Sequence, residues 1–249
     1  MNITIENYLD STYLKTPEQS GLTSEATEKE VRKLVQECID NGFVLAMIRP
    51  EYITMARTMI DLVNADVLVG TVIGFHEGTY SIEDKLTEAK KAIADGADEL
   101  DFVINYTAFK NGEIDLVKRE VYEGTKIGLA HDKAVKWIIE IAALTDDEIA
   151  GITHLIRDVV LQNFDDKDYP KVYVKSSTGF YKTTDGKPNG ATFEGMQIIK
   201  DNAGPLSIKA AGGVRNYDDA VKMIALGVNR IGTSSAKAIA DGSSVQNDY

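Results

Sequence analysis

The sequence predicts an α/β protein that folds as a single (β/α)8 TIM barrel. Short apolar runs recur about every thirty residues, and each is followed by a segment with helical periodicity. Eight such runs occur, at residues 7–14, 43–50, 67–75, 99–105, 134–142, 171–177, 206–212 and 229–235. Strand, helix and strand at this spacing indicate parallel pairing, and 249 residues is an ordinary length for one barrel domain spanning 1–249. A doubly wound open sheet is the alternative that this pattern leaves open.

The segments between the runs contain signals for the start and the end of helices. Three capping-box patterns predict helix starts, at Thr27-x-x-Glu30, Ser81-x-x-Asp84 and Thr145-x-x-Glu148. Three glycines predict helix ends, at Gly42, Gly96 and Gly227. The last residues, at about 241–249, are polar and are expected to form a flexible tail.

Composition excludes several classes of function. The net charge of −12 argues against a nucleic-acid partner or an anionic membrane surface, since both require a basic face. The N-terminus does not read as a signal peptide, and no run approaches the ~20 apolar residues of a spanning helix, so we expect a cytoplasmic protein. Cys38 is the only cysteine, and the three histidines have no ligand spacing. We expect neither a metal site nor a cofactor.

Four of the predicted strands carry a charged residue between apolar neighbours. These residues are Asp101, Glu140, Lys175 and Lys209. Because side chains alternate along a strand, they point into the barrel if their neighbours pack outward on the helices. A lone charge there would cost several kcal/mol, whereas two carboxylates and two ammonium groups compensate one another. A structural ion-pair cluster explains any one pair equally well, but four charges near the carboxyl ends of barrel strands favour an active site.

Two inward lysines on neighbouring strands predict amine chemistry. A free lysine has a pKa of ~10.4, so about one molecule in two thousand carries the nucleophilic, unprotonated amine at neutral pH. A neighbouring cation and partial burial that lower this pKa by about three pH units raise that fraction about a thousandfold. One lysine would then be the nucleophile and the other would lower its pKa. Asp101 is placed to move protons during carbinolamine formation and loss of water.

The last three runs end in small and hydroxyl-bearing residues, in the segments STGF (177–180), AGGVR (211–215) and IGTSS (231–235). Open backbone N–H groups and following helix N-termini favour an anion, and barrel phosphate sites commonly follow strands seven and eight. Each segment alone is typical of an ordinary turn or helix cap. Together they predict that a phosphorylated substrate binds to Gly179, Gly212, Gly213, Gly232, Ser234 and Ser235.

Seven segments occur in an order that resembles the deoxyribose-phosphate aldolase family over nearly the whole chain. They are YLDSTYL, VIGF followed by a glycine after two residues, GADELDFVIN, WIIEIAALTDDE, VKSSTGF, KAAGGVRNYDDA and RIGTSS. The resemblance implies a metal-free class I reaction that reversibly splits 2-deoxy-D-ribose 5-phosphate into D-glyceraldehyde 3-phosphate and acetaldehyde. It also implies phosphorylated-sugar and small-aldehyde substrates, and a possible homodimer.

The resemblance also implies roles for individual residues. The Schiff-base lysine, immediately before the STG loop, is Lys175, and the second lysine, two residues before the Gly-Gly pair, is Lys209. The aspartate of the DELD motif is Asp101. The terminal tyrosine that is thought to assist proton transfer in the family corresponds to Tyr249.

Further substrate contacts are implied at Asp10 and Thr12 of the L-D-x-T pattern and at Thr178 of the STG loop. Met47 stands where a cysteine is frequent in the family, which removes a thiol near the substrate aldehyde. Two further departures affect the shape of the rim: the segment 181–192 is longer than the usual link after the STG loop, and VLQNFDDKDYPKVYV (160–174) replaces a common short entry to the strand.

Three other functions stay open on the residues alone. Another Schiff-base barrel lyase, transaldolase-like or dehydratase-like, would use Lys175 with a different donor. In a phosphate-sugar isomerase, a carboxylate such as Glu140 would be the base and the lysines would only bind substrate. In a non-catalytic barrel that binds phosphorylated metabolites, the charge cluster would be structural.

Overall fold

Eight parallel strands close into a barrel in a computed structural model that describes residues 3–184 and 186–243. The strands are β1 Leu9–Tyr13, β2 Leu45–Ile48, β3 Leu68–Ile73, β4 Glu99–Val103, β5 Ala134–Ile138, β6 Val172–Lys175, β7 Ser207–Ala211 and β8 Arg230–Thr233. Each strand pairs with the next, and β8 pairs with β1. This closure confirms the predicted (β/α)8 barrel and excludes the open sheet.

Helices surround the barrel and connect successive strands. They are α1 Pro17–Ser20, α2 Ser24–Asn41, α3 Ile53–Leu62, α4 Ile82–Asp95, α5 Tyr106–Lys110, α6 Ile114–Ala130, α7 Asp146–Asn163, α8 Phe193–Asn202, α9 Tyr217–Leu226 and α10 Ala236–Ala240. None of the helices in the described ranges is both long and apolar enough to cross a membrane. Tyr249 and the predicted tail from residue 244 onward lie outside the described residues.

Most predicted helix boundaries are confirmed. Ser81 and Thr145 cap α4 and α7 through their side chains, and the three predicted glycines end α2, α4 and α9 in the left-handed conformation. The capping box at Thr27 is wrong, because α2 begins four residues earlier with Thr23 as its cap. Thr23 accepts the Ala26 N–H, whereas the Thr27 hydroxyl donates back to the Thr23 carbonyl inside the first turn.

The outward faces of the strands form the main apolar core with the helices. On β4 and β5, Phe102 and Trp137 stack with ring centroids 5.0 Å apart, and the indole N–H donates to Thr125 of α6. A Cβ added at Gly124 would lie 2.7 Å from the Trp137 ring, so α6 approaches the sheet closely only because this position lacks a side chain. Leu100 is fully buried beside them. The alternation that the sequence predicted therefore holds on β4, and it leaves Asp101 facing inward.

The barrel interior is divided into an apolar side and a charged side. Leu14, Leu45, Met47 and Val72 pack together at the side formed by the first three strands. Met47 is fully buried within this cluster, where it fills space between strands. The charged side, formed mainly by β4 to β8, contains the candidate site.

A buried ion pair between two helices links them to the sheet. The Lys85 ammonium of α4 donates to the carboxylate of Glu120 on α6, to the Val103 carbonyl at 2.8 Å and to the Gly78 carbonyl at 2.5 Å. Glu120 in turn accepts the Asn105 N–H at 2.9 Å. The pair therefore joins α4, α6, the end of β4 and the loop after β3.

Replacing Lys85 with methionine is expected to lower the free energy of unfolding by about 3–5 kcal/mol, because the Glu120 carboxylate would stay buried without its cation. Urea unfolding measures this. The matched control is Lys91→Met on the same helix, where the side chain is 73% exposed and the loss should be under about 1 kcal/mol. The double variant Lys85→Met/Glu120→Met should regain much of the loss. Equal stability of the two single lysine variants would contradict this account of the pair.

Candidate active site

Seven charged side chains point into the barrel and form one connected group, here called the ion network. Its members are Asp10 of β1, Glu99 and Asp101 of β4, Lys136 of β5, Lys175 of β6, Lys209 of β7 and Arg230 of β8. All are buried, with at most 7% of any residue exposed. Burying so many charges is costly unless each is paired, and here each has at least one partner of opposite sign.

Asp101 lies at the centre of the ion network. Its Oδ2 accepts hydrogen bonds from the Lys175 ammonium at 2.8 Å and from the Lys209 ammonium at 3.0 Å. Its Oδ1 accepts one from Lys136 at 2.9 Å. Lys175 and Lys209 are also direct neighbours in the pairing of β6 with β7. The predicted geometry, two lysines on the same side of the wall beside Asp101, is confirmed.

The remaining members of the ion network hold Lys209 in place through Asp10. Lys209 Nζ lies 2.6 Å from Asp10 Oδ2, and Arg230 donates to Asp10 Oδ1 at 2.7 Å and to Glu99 at 3.1 Å. Lys136 completes the group by pairing with Glu99 as well as with Asp101. Asp10 was expected to contact substrate, but it is fully buried and bound to two cations. Its position makes it a partner of Lys209.

The predicted membership of the charge cluster was partly wrong. β5 ends at Ile138, so Glu140 lies beyond the strand at the rim, where its carboxylate accepts hydrogen bonds from Thr178. Glu99, Lys136 and Arg230 were missed. The period-two pattern could have found two of them, because Glu99 lies two residues before Asp101 and Lys136 lies four before Glu140.

The ion network contains three carboxylates and four cationic side chains among the residues that the structure describes. One positive charge is therefore in excess. Burial lowers the pKa of Lys175 to about 8; the Asp101 carboxylate opposes this change and the Lys209 cation adds to it. Burial would raise the pKa of Asp101, but Lys136, Lys175 and Lys209 together hold it well below its usual range.

Lys175 can therefore lose its proton near neutral pH, which removes the excess charge. With a pKa of about 8, about one molecule in ten carries the neutral amine at pH 7. The direction is the one the sequence predicted. The cause differs in emphasis, since burial contributes more than the neighbouring lysine.

A narrow cleft leads from Lys175 to the ends of the last strands. It is lined by Thr12, Leu14, Lys175, Thr178, Gly179, Ala211, Gly212, Gly232, Thr233 and Ser234. Six of these are among the predicted substrate contacts. Gly232 lies close to Lys209, so that an added Cβ would lie 3.1 Å from the lysine Cε. Gly179 and Gly212 have φ of 81° and 72°, which a residue with a side chain adopts only under strain.

Three predicted substrate contacts do not line this cleft. Asp10 belongs to the ion network, as described above. Gly213 packs against the backbone of Ala191, where an added Cβ would lie 3.1 Å from the carbonyl oxygen. Ser235 precedes α10 and lines a separate surface depression with Ser234 and Lys237.

A wider cavity of about 1100 Å³ opens at the same end of the barrel. His76, Tyr106, Glu140, Gly179, Phe180 and Tyr181 are among its lining residues. The long segment 181–192 forms part of the wall and supports the loop after β6. Asn189 donates to the Gly179 carbonyl at 3.0 Å, and Gly190 contacts Gly212 so closely that an added Cβ would lie 2.5 Å from its carbonyl carbon. These two contacts therefore stabilise the turns of the rim at Gly179 and Gly212.

The side chains of the site favour covalent amine chemistry over metal binding. Each buried carboxylate of the ion network is already bound to cationic side chains. No group of histidine, cysteine or acidic residues arranged to hold a metal ion occurs within residues 3–184 and 186–243. A neutral amine in a partly closed barrel can add to a carbonyl group.

Comparison with known proteins places this arrangement among aldolases. No protein-family model matches the chain. The deoxyribose-phosphate aldolase of Thermococcus gammatolerans is 39% identical over 241 residues, which cover 96% of each chain. A solved structure described as QR15, an aldolase, is 32% identical with a TM-score of 0.80, covering 96% of this chain and 95% of that one. The deoxyribose phosphate aldolase of Aeropyrum pernix, described as having a unique tetrameric structure, is 31% identical with a TM-score of 0.74, covering 95% and 89%.

Proposed function

Because the chain belongs to the deoxyribose-phosphate aldolase family, we propose that it reversibly splits 2-deoxy-D-ribose 5-phosphate through a Schiff base on Lys175. The products are D-glyceraldehyde 3-phosphate and acetaldehyde. One observation carries the mechanism: Lys175 lies 2.8 Å from Asp101 in a buried network with one cation in excess, and its pKa is about 8. A buried amine near its pKa at neutral pH supplies the nucleophile that an imine requires.

In the cleavage direction, the neutral Nζ of Lys175 adds to the C1 carbonyl of the open-chain sugar and gives a carbinolamine. Loss of water gives a protonated imine. The C3 hydroxyl then loses its proton, the C2–C3 bond breaks, and its electron pair moves toward the imine nitrogen. D-glyceraldehyde 3-phosphate leaves, and an enamine stays on the lysine. Protonation at C2 and addition of water release acetaldehyde and the free amine.

Asp101 and Lys209 prepare Lys175 for this reaction. Lys209 contributes a positive charge that favours the unprotonated form of Lys175. Asp101 accepts hydrogen bonds from both lysines and is placed to move protons between the Lys175 nitrogen and the carbinolamine oxygen. Tyr249 lies outside the described residues, so its implied role in proton transfer stays a prediction.

The substrate phosphate is proposed to bind where the cleft reaches the ends of β7 and β8. Gly179, Gly212, Gly232 and Ser234 line that part, and loops after the last two strands are the common phosphate site of barrel enzymes. Thr12 of β1, the strand paired with β8, also lines the cleft, and its hydroxyl donates to the Asp10 carbonyl at 2.9 Å. Gly213 packs against the Ala191 backbone, and the Ser235 N–H donates to the Thr233 hydroxyl at 3.0 Å, so both are proposed to stabilise these loops.

The function is tested by the release of acetaldehyde from 2-deoxy-D-ribose 5-phosphate. We expect release, and we expect kcat/KM to rise about tenfold between pH 7 and pH 9 as Lys175 passes through its pKa of about 8 and loses its proton. Unphosphorylated 2-deoxy-D-ribose, the matched substrate, should react with a much higher KM. Interconversion of aldose and ketose phosphates without acetaldehyde would instead support the isomerase, and turnover with another donor would support a different Schiff-base lyase.

A homodimer is also proposed, from the family resemblance alone. The solved relative from Aeropyrum pernix is described as tetrameric, so the proposed dimer differs from the assembly of that relative. Light scattering of the purified chain distinguishes a dimer from a tetramer or a monomer.

A further inference from the structure

Glu140 is a buried carboxylate with an unusual backbone, and the mechanism above leaves it without a role. It follows β5, is 1% exposed and has φ of 57° and ψ of 68°, the left-handed conformation that residues other than glycine rarely adopt. Such conformations persist only where the surroundings enforce them, and they are frequent at functional sites.

Two backbone hydrogen bonds hold Glu140 beside the reactive lysine. The N–H of Ile139 donates to the Lys175 carbonyl at 3.0 Å, and the N–H of Ile141 donates to the Ser176 carbonyl at 2.9 Å. Glu140 lies between these two anchors. Its Cα is therefore fixed relative to the chain that leaves Lys175, and this constraint gives its side chain a defined direction.

The Glu140 carboxylate takes both hydrogen-bond donors of Thr178. Oε2 accepts the Thr178 N–H at 3.1 Å and also accepts the Thr178 hydroxyl in a closer contact. The Thr178 oxygen in turn accepts the N–H of Phe180 at 3.0 Å. With its N–H and its hydroxyl both directed at Glu140, Thr178 is unavailable as a donor to a phosphate.

Gly179 lies between the cleft and the wide cavity, and Thr178 precedes it in the chain. Both residues line the cleft together with Lys175, and Gly179 also lines the wide cavity together with Glu140. A displacement of Thr178 would therefore change the shape of the cleft at Gly179, next to the proposed phosphate site.

The cost of keeping Glu140 at this place points to more than a structural role. Its Oε1 is buried and has no hydrogen-bond partner among the described residues. Burial raises the pKa of Glu140 to about 7, against the opposing effects of the Thr178 hydrogen bonds and the Lys175 charge. A neutral side chain would avoid this desolvation, so the carboxylate is poorly explained by stability alone.

We propose that Glu140 is a positioning residue that holds Thr178 and Gly179 in the geometry that binds the phosphorylated substrate. The proposal rests on the proposed function, since it concerns the substrate of the same site. It also changes the expected role of Thr178. Thr178 links Glu140 to Gly179, and only those Thr178 atoms that do not bind Glu140 can contact substrate.

The test uses the variants Glu140→Gln and Thr178→Val, alone and together. Each single variant is expected to raise KM for 2-deoxy-D-ribose 5-phosphate about tenfold, because a charge-assisted hydrogen bond is weakened or lost. The rate at which borohydride traps acetaldehyde on Lys175, which involves no phosphate, should change less than about threefold. The double variant should be no worse than the worse single variant, because both break one contact.

Thr178→Ser keeps the hydroxyl donor and should retain the KM of the unchanged chain, even if Glu140→Gln fails to fold. Glu30→Gln, at an exposed carboxylate on α2, is the matched control and should change nothing. A lowered melting temperature with unchanged KM in Glu140→Gln and Thr178→Val would overturn the proposal, and so would additive effects in the double variant. Absence of acetaldehyde release by the unchanged chain would instead defeat the proposed function, and calorimetric binding of inorganic phosphate would then still test the role of Glu140.

Discussion

Replacing Lys175 with methionine is expected to lower kcat/KM for acetaldehyde release by at least about a thousandfold, because Lys175 is the lysine of the ion network that lines the cleft. The fold should be kept. Asp101 retains Lys136 and Lys209 as partners, and the ion network changes from four cations facing three carboxylates to three facing three. A coupled assay for acetaldehyde measures the activity, and thermal unfolding measures the stability.

The control for this prediction is Lys167→Met, a lysine whose side chain is 73% exposed. It should retain full activity. If Lys175→Met kept activity within about tenfold of the unchanged chain, the nucleophile would have to be another group.

Replacing Lys209 with methionine is expected to lower the rate at pH 7 by at least about tenfold and to move the pH profile to higher pH. Lys209 supplies part of the positive charge that disfavours the ammonium form of Lys175. Without it, three cations face three carboxylates, so the pKa of Lys175 rises, while burial still holds it below the ordinary value of ~10.4. A rise of one pH unit would lower the unprotonated fraction at pH 7 from about one in ten to about one in a hundred.

Measurement of kcat/KM across pH 6 to 10 distinguishes two ways in which Lys209 could act. A loss that is partly recovered at high pH supports the charge argument. A uniform loss at every pH would mean that Lys209 acts in proton transfer or binding and leaves the pKa of Lys175 unaffected. Asp10 keeps Arg230 as a partner in this variant, so the network should stay assembled.

The fold could be predicted from the sequence because two periodicities alternate along the whole chain. The inward direction of Asp101, Lys175 and Lys209 followed from the alternation of side chains, and the structure confirms it. What the alternation cannot show is which inward residues meet across the barrel. That depends on strand register and tilt, which no single strand encodes.

The misses have identifiable physical causes. Arg230 stands two residues before Gly232, and because it follows the polar Asn229 it lacks the pattern of a charge between two apolar neighbours. Glu140 was placed on a strand, since an apolar run does not reveal that the backbone turns into the left-handed region after Ile138. Ser235 was expected in the cleft because the sequence does not show that β8 ends at Thr233 and that the chain then turns into α10.

Reduction with borohydride in the presence of acetaldehyde, followed by peptide mass spectrometry, tests the central claim most directly. The account predicts one ethyl group added to Lys175 and none on Lys136 or Lys209, with faster labelling at pH 9 than at pH 7. An adduct on Lys209, or unlabelled Lys175 in an enzyme that is still turning over, would contradict it.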